Sequence, residues 1–215
     1  VTKTADASYT RTWIWTVEKT GDRTSLLLTP GQSFTVNYTV QVNGSSQDSD
    51  WVVSGVITVT NPHPSAVMTV NVADSLSGAV IDCGDGPGDT SLTVPMNSSA
   101  QCSYSANVGG ALDGTNTATV TLNGHEFEGY DGYDFGDPTS EIDECADVSD
   151  TYAGTLGTVC GSDDGASVSQ TFTYSRPIVF EVCSSTAYTV DNTATVTAND
   201  TNTTDSDDYN VTVNV

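Results

Sequence analysis

Apolar and polar residues alternate along most of this chain. Phe34, Val36, Tyr38, Val40 and Val42 share one face of an extended segment, with Thr35, Asn37, Thr39 and Gln41 on the other. Met68, Val70 and Val72 repeat the pattern, as do Cys102, Tyr104, Ala106 and Val108, and later Tyr209, Val211, Val213 and Val215. A period of two predicts antiparallel strands with one face on a core and one face wet. The turn-forming clusters NGSSQDSD, NPHP and GDGPGD interrupt the alternation. No stretch follows a helical period, so the expected fold is all-β, an antiparallel β-sandwich.

The alternation repeats on a longer scale. Residues 70–121 contain VNVADSLSGAVIDCG, a serine-rich turn, QCSYSANV and GTNTATVT. Residues 146–197 contain ADVSDTYAGTLGTVCG, an acidic turn, QTFTYSRP and VDNTATVT in the same order, with Cys83 and Cys160 in register. These segments resemble the Ig-like repeat domains of bacterial and archaeal cell-surface proteins, a family of unknown function. There a D-x-L or D-T turn precedes an N-T-A-T-V strand near the end of each domain. The resemblance implies two Ig-like sandwiches in tandem and a surface location, and it brings no catalytic residue with it.

The copies are unequally complete. Residues 32–60, QSFTVNYTVQV and then WVVSGVITVTN, precede the first repeat and supply its opening strands. The second repeat starts at Glu144, directly after an acidic linker, and lacks such strands. The expected division is a leader over residues 1–18, a first sandwich over 19–138 and an incomplete second sandwich over 139–215. An incomplete sandwich leaves an apolar face and an open edge in water. The leader VTKTADASYTRTWIW shares the cadence of TVEKTGDRTSLLLTPGQSFTVNYTV: a VxKT strand, a polar turn, a longer alternating strand. It is therefore expected to complete the second sandwich, with Tyr9, Arg11, Trp13, Trp15 and Val17 as the assembly residues. Burying Trp13, Trp15 and Val17 would contribute on the order of 10 kcal/mol before ordering costs. The preferred expectation is donation to a neighbouring copy, which builds a head-to-tail filament. The alternative is a leader that folds back on its own chain, which leaves room for a tandem array.

Charge adds to this picture. The 215 residues carry 28 Asp and Glu against 5 Lys and Arg, for a formal net charge of -23. Lys3, Arg11, Lys19 and Arg23 place nearly all the cations in the leader and its sequel. So acidic a surface repels nucleic acid and anionic membranes, and no apolar run is long enough to span a bilayer. Strand-like sequence from residue 1, with no leader-peptide pattern, reads as an already processed product. Abundant Thr, Ser and Asn, few lysines and five cysteines outside any metal-binding spacing point to an oxidising, extracellular setting.

Strand direction pairs Cys83 with Cys102 and Cys145 with Cys160, leaving Cys183 as the odd cysteine; the competing pairing joins Cys160 to Cys183. A bridge over the first spacing would stabilise by about 3 kcal/mol in the loop-entropy account. Sequons at Asn37, Asn43, Asn97, Asn199, Asn202 and Asn210 are glycosylation candidates, on polar strand faces or in turns. Asp131, Asp134, Asp137 and Asp143 crowd the acidic linker and form a weak Ca²⁺ candidate, with a solvated linker the plainer reading; no other cofactor is expected. His63 and His125 fall in turns, NPHP and NGHE, without a nucleophile motif, and no catalysis is expected. Sandwiches of this general type sometimes join a lysine to an asparagine beside a carboxylate. Lys3 or Lys19 against Asn116 or Asn192 would be the candidates, although these asparagines also belong to the ordinary NTATV strand. The expected role is an extracellular structural subunit of a surface filament, with copies of itself as partners and covalent glycans as decoration. The alternative is an adhesin-type module, with Trp51, Tyr130 and Tyr133 as loop aromatics that recognise carbohydrate or a host protein.

Overall fold

A computed structural model describes residues 1–215 and is all-β, its strands gathered in several antiparallel sheets packed as sandwiches. The chain divides into two compact units, Val1–Thr10 with Asp48–Ser140, and Arg11–Gln47 with Glu141–Val215.

In the first unit a four-stranded sheet runs His125–Tyr133, Gly114–Leu122, Met68–Asp74, Ser91–Val94. Its other layer pairs the second half of the long strand Ser33–Asn61 with Ser98–Asn107, from Val52 opposite Asn107 to Asn61 opposite Ser98. Val80–Asp82 extends that layer beyond Ser98–Asn107. The short strand Thr2–Lys3 adds to the other side, Lys3 opposite Ile57. Inward-facing residues of both layers make one apolar core, including Val53, Ile57, Val70, Val72, Cys102, Ala118 and Val120.

The second unit has a four-stranded sheet in the order Gly154–Cys160, Cys145–Asp150, Thr193–Ala198, Thr204–Asp208. Facing it, the first half of Ser33–Asn61 pairs along its length with Val168–Val179, and Asp6–Gly21 lies on its other side. Trp13, Trp15 and Val17 pack there against Val40, Val42, Ala146, Val148, Ala194 and Val196. A three-stranded sheet, Tyr188–Val190, Val211–Asn214 and Ser25–Leu27, closes a further core around Val36, Tyr38, Ile178 and Val213.

Within the single chain the leader takes the fold-back arrangement: Tyr9, Arg11, Trp13, Trp15 and Val17 are all buried, each less than a tenth exposed. Apolar surface of that size is satisfied by the nearest matching face, and the chain supplies one itself. The domain limits differ from the expected ones. Residues 19–47 belong with 141–215 rather than with the first sandwich, and residues 1–10 belong with 48–140. The cause is that NGSSQDSD is no turn; Ser33–Asn61 is one continuous strand. Its small residues keep the alternation going, and Gly44 leaves the space that Trp15 fills, since a Cβ there would meet the indole at 2.5 Å. Finally, Cys83 and Cys160 are not equivalent. After Asp74 the first unit inserts a short strand, Val80–Asp82, paired with Ser98–Asn107, whereas Cys145–Asp150 turns straight back into Gly154–Cys160.

Candidate functional site: two buried lysine–aspartate–asparagine clusters

Each unit buries one lysine, one aspartate and one asparagine together. In the first unit, Thr2–Lys3 supplies Lys3, the end of Met68–Asp74 supplies Asp74, and Gly114–Leu122 supplies Asn116. The side chains of Lys3 and Asp74 are 0% and 1% exposed, and Asn116 is 0% exposed. Lys3 Nζ donates to Asp74 Oδ2 at 2.5 Å, and Asn116 Nδ2 reaches the same oxygen at 3.4 Å. The Lys3 ammonium also sits 3.3 Å from the centroid of the Tyr104 ring, a cation–π contact in a dry setting.

The second unit repeats the arrangement with Lys19, Asp150 and Asn192. Lys19 and Asp150 are both fully buried and ion-paired through Nζ and Oδ2. Here the Tyr174 hydroxyl joins the parts: it accepts from Lys19 Nζ at 2.9 Å and from Asn192 Nδ2 at 2.6 Å, and donates to Asp150 Oδ2 at 2.7 Å. Tyr38, stacked on Tyr174 at 5.3 Å, buries a hydroxyl with no hydrogen-bond partner.

The equivalence extends to register. Asp74 lies opposite Ala118, and Asp150 opposite Ala194, each alanine two residues after the asparagine. The residue after each aspartate carries a hydroxyl that does the same work twice. Ser75 Oγ accepts from Thr117 N and donates to Asn116 Oδ1 at 3.0 Å; Thr151 Oγ1 accepts from Thr193 N and donates to Asn192 Oδ1, also at 3.0 Å. The outer carboxylate oxygen is held by the following turn, Leu76 N on Asp74 Oδ1, and Tyr152 N and Ala153 N on Asp150 Oδ1. The sequence repeat thus encodes a repeated polar site: the VxKT strand carries the lysine, the D-S or D-T turn the carboxylate and hydroxyl, and NTATV the carboxamide.

Burial sets the electrostatics. Desolvation lowers both Lys3 and Lys19 from the usual lysine value, opposed by their aspartate partners. Asp150 is pushed up by burial, but the hydrogen bonds from Lys19, Ala153, Tyr174 and Tyr152 outweigh this and hold it below the ordinary carboxylate value. The Tyr104 phenol is raised to about 12, chiefly by burial. A buried pair of this kind costs desolvation on both sides, offset only by close pairing and further hydrogen bonds.

The remaining candidates are dispersed. Asp131 accepts from Ala5 N and Gly132 N, Asp134 and Asp137 are exposed, and Asp143 is buried, binding Asp200 N, Thr201 N and the Thr201 hydroxyl. No group of three or more His, Cys, Asp or Glu gathers as metal ligands would. His63 Nδ1 accepts from Ser65 N and Ala66 N within its turn, and His125 lies opposite Leu122 in a hairpin. Cys83–Cys102 and Cys145–Cys160 are the disulfides expected from strand direction, and Cys183 is free and exposed. The sequon residues Asn37, Asn97, Asn199, Asn202 and Asn210 are exposed and Asn43 is half-buried. Trp51 lies inside a strand, stacked on Tyr9 at 4.2 Å, and Tyr133 packs edge-on to Phe135, while Tyr130 stands exposed on its own strand. An apolar cleft of about 340 Å³ opens in the first unit beside Val1, Met68, Leu122 and Phe127. No helix is long and apolar enough to cross a membrane.

Sequence reasoning found the lysines and asparagines but missed the carboxylate that each pair shares, and it missed Tyr104 and Tyr174. The signal was present: Asp74 and Asp150, and Tyr104 and Tyr174, occupy matching places in the two repeats. The chain matches no protein-family model and no curated protein.

Proposed function

We propose that this chain is an extracellular structural unit, a segment of a surface filament or stalk, whose task is to stay folded under tension and chemical stress. The observation that carries the reading is the interleaving of the two units. The chain passes from one to the other three times, at Thr10/Arg11, Gln47/Asp48 and Ser140/Glu141. Modules strung on one linker are joined by a single connection, whereas here the strands Asp6–Gly21 and Ser33–Asn61 each contribute residues to both units. Two disulfides add cross-links that persist in an oxidising compartment. The resemblance to Ig-like repeats of surface proteins and the threonine-rich acidic exterior with exposed sequons favour the same location. Because the leader is occupied in its own chain, linkage between units of the filament would come from chain continuity or from other surfaces.

Gold-labelled antibody against this chain, applied to intact cells of the source organism, tests the reading. Labelling of extended surface projections is the expected result; label that appears only after cells are opened would refute it. A protein that fails to label projections but is retained on a glycan array would favour the adhesin alternative.

A further inference from the structure

We propose that each unit closes an intramolecular amide bond between its lysine and its asparagine, Lys3 Nζ to Asn116 Cγ and Lys19 Nζ to Asn192 Cγ, with the aspartate between them moving the protons. This goes beyond the structural role above and does not depend on it, since the chemistry is set by the buried clusters alone.

The parts match what such a bond requires. The nucleophile must be a neutral amine, and a lysine becomes one when it is desolvated beside a proton acceptor. Both lysine side chains are fully buried on an aspartate. The electrophile must be close and polarised. Nζ and the asparagine Nδ2 share a single partner atom in each unit, Asp74 Oδ2 in the first and the Tyr174 hydroxyl in the second. A hydroxyl donor sits on each carboxamide oxygen, Ser75 and Thr151, where negative charge develops during addition. The leaving nitrogen needs an acid, and the aspartate is placed to be one. The water-free surroundings remove the competing hydrolysis.

The step balances without any co-reactant. The ammonium first passes one proton to the carboxylate, which exchanges two buried charges for a neutral amine and a carboxylic acid, an exchange favoured by low dielectric. Nζ then attacks Cγ, forming the new C–N bond and moving the carbonyl pair onto Oδ1, which accepts the Ser75 or Thr151 hydrogen bond. The aspartic acid gives its proton to Nδ2 and takes one back from Nζ. The Cγ–Nδ2 bond breaks, Oδ1 re-forms the carbonyl, and ammonia leaves. No redox change occurs. The product is a secondary amide tying the first strand of each unit's cluster to its NTATV strand.

That the same residues recur in the same register is the strongest support. A lone buried lysine is commonly a structural accident. Here lysine, aspartate, hydroxyl and asparagine recur on strands paired in the same register, with a tyrosine beside each lysine, whereas the disulfides join non-equivalent positions.

Intact-mass spectrometry of the purified chain decides the matter. The expected mass lies below the sequence mass by two ammonia molecules, in addition to the hydrogens lost to the disulfides. Asp74→Ala or Asn116→Ala should restore one ammonia, and Asp150→Ala or Asn192→Ala the other. Proteolysis of the wild-type chain should release branched peptides joining Lys3 to Asn116 and Lys19 to Asn192. A folded wild-type chain at full sequence mass with only linear peptides overturns the proposal. A deficit of one ammonia overturns it for whichever unit yields linear peptides.

Discussion

Asp143 shows how a single buried carboxylate is held. Only 4% exposed, it accepts the backbone N–H groups of Asp200 and Thr201 and the Thr201 hydroxyl, while its own N–H donates to Asp200 Oδ2. Burial pushes its carboxyl up, and the hydrogen bonds from Thr201 and Asp200 bring it below the ordinary 3.8. The unfolded chain therefore takes up the proton first as acid is added. The stabilisation is fully present above pH 3.8 and is lost as pH falls through the lower folded value. Asp143→Asn should cost about 1–3 kcal/mol at neutral pH, the penalty for disturbing a buried hydrogen-bonded group. In denaturant titrations the gap between wild type and variant should narrow below pH 3.8; a gap that stays constant with pH would show that the charge plays no part. The sequence presents Asp143 as one carboxylate among many in an acidic linker, a weak Ca²⁺ candidate beside the plainer reading of a solvated linker. Its real partners sit more than fifty residues away, at a separation of 57 or 58, and no local pattern announces them. Lys3, Asn116, Lys19 and Asn192 were easier to find, because few cations exist and each asparagine opens a repeated motif.

At the scale of the strand, alternation predicted burial well. Val36, Tyr38, Val40 and Val42 are inward and Thr35, Asn37 and Gln41 outward, as period two requires. The leader's alternation was equally legible, and so was the second repeat's shortage of strands. What could not be read was that one strand would serve both units, because NGSSQDSD has turn composition yet stays within the strand, with only Asp50 turning to positive φ. Glycine there and at position 161 makes room for large rings. A Cβ on Gly161 would come within 2.2 Å of Trp13, as one on Gly44 would crowd Trp15. The Trp15 indole is further fixed by donating to the Asp143 carbonyl at 2.7 Å. Trp13→Ala should therefore destabilise by about 3–5 kcal/mol, as other large-to-small core changes do. Chemical denaturation would measure this, with size-exclusion chromatography on the same samples. Elution at the wild-type position is expected, since the tryptophan is used inside its own chain. A variant of unchanged stability and altered oligomeric state would instead restore intermolecular donation.

For the molecule as a whole, the interleaving makes a firm demand on fragments. Residues 141–215 hold the sheet from Gly154–Cys160 to Thr204–Asp208 and one covering strand, Val168–Val179, but the buried residues that cover the sheet come from 11–47. Without them the cores lose Trp13, Trp15, Val17, Val40 and Val42, and also Leu26, Leu28, Val36 and Tyr38. The exposed remainder would be far below what a domain of that size needs to offset its chain entropy. It would also lose Lys19, leaving Asp150 buried without its cation. A fragment of residues 141–215 should accordingly give a disordered far-ultraviolet circular dichroism spectrum. Adding a separate 11–47 peptide should restore β-structure, with saturation near one peptide per fragment, because the missing strands carry register and apolar faces that match only this sheet. Cooperative thermal unfolding of 141–215 alone would show a sandwich complete within the second repeat. In that case the leader and the long strand would be a covering added to a finished fold, and the three chain crossings would no longer support the proposed role under tension.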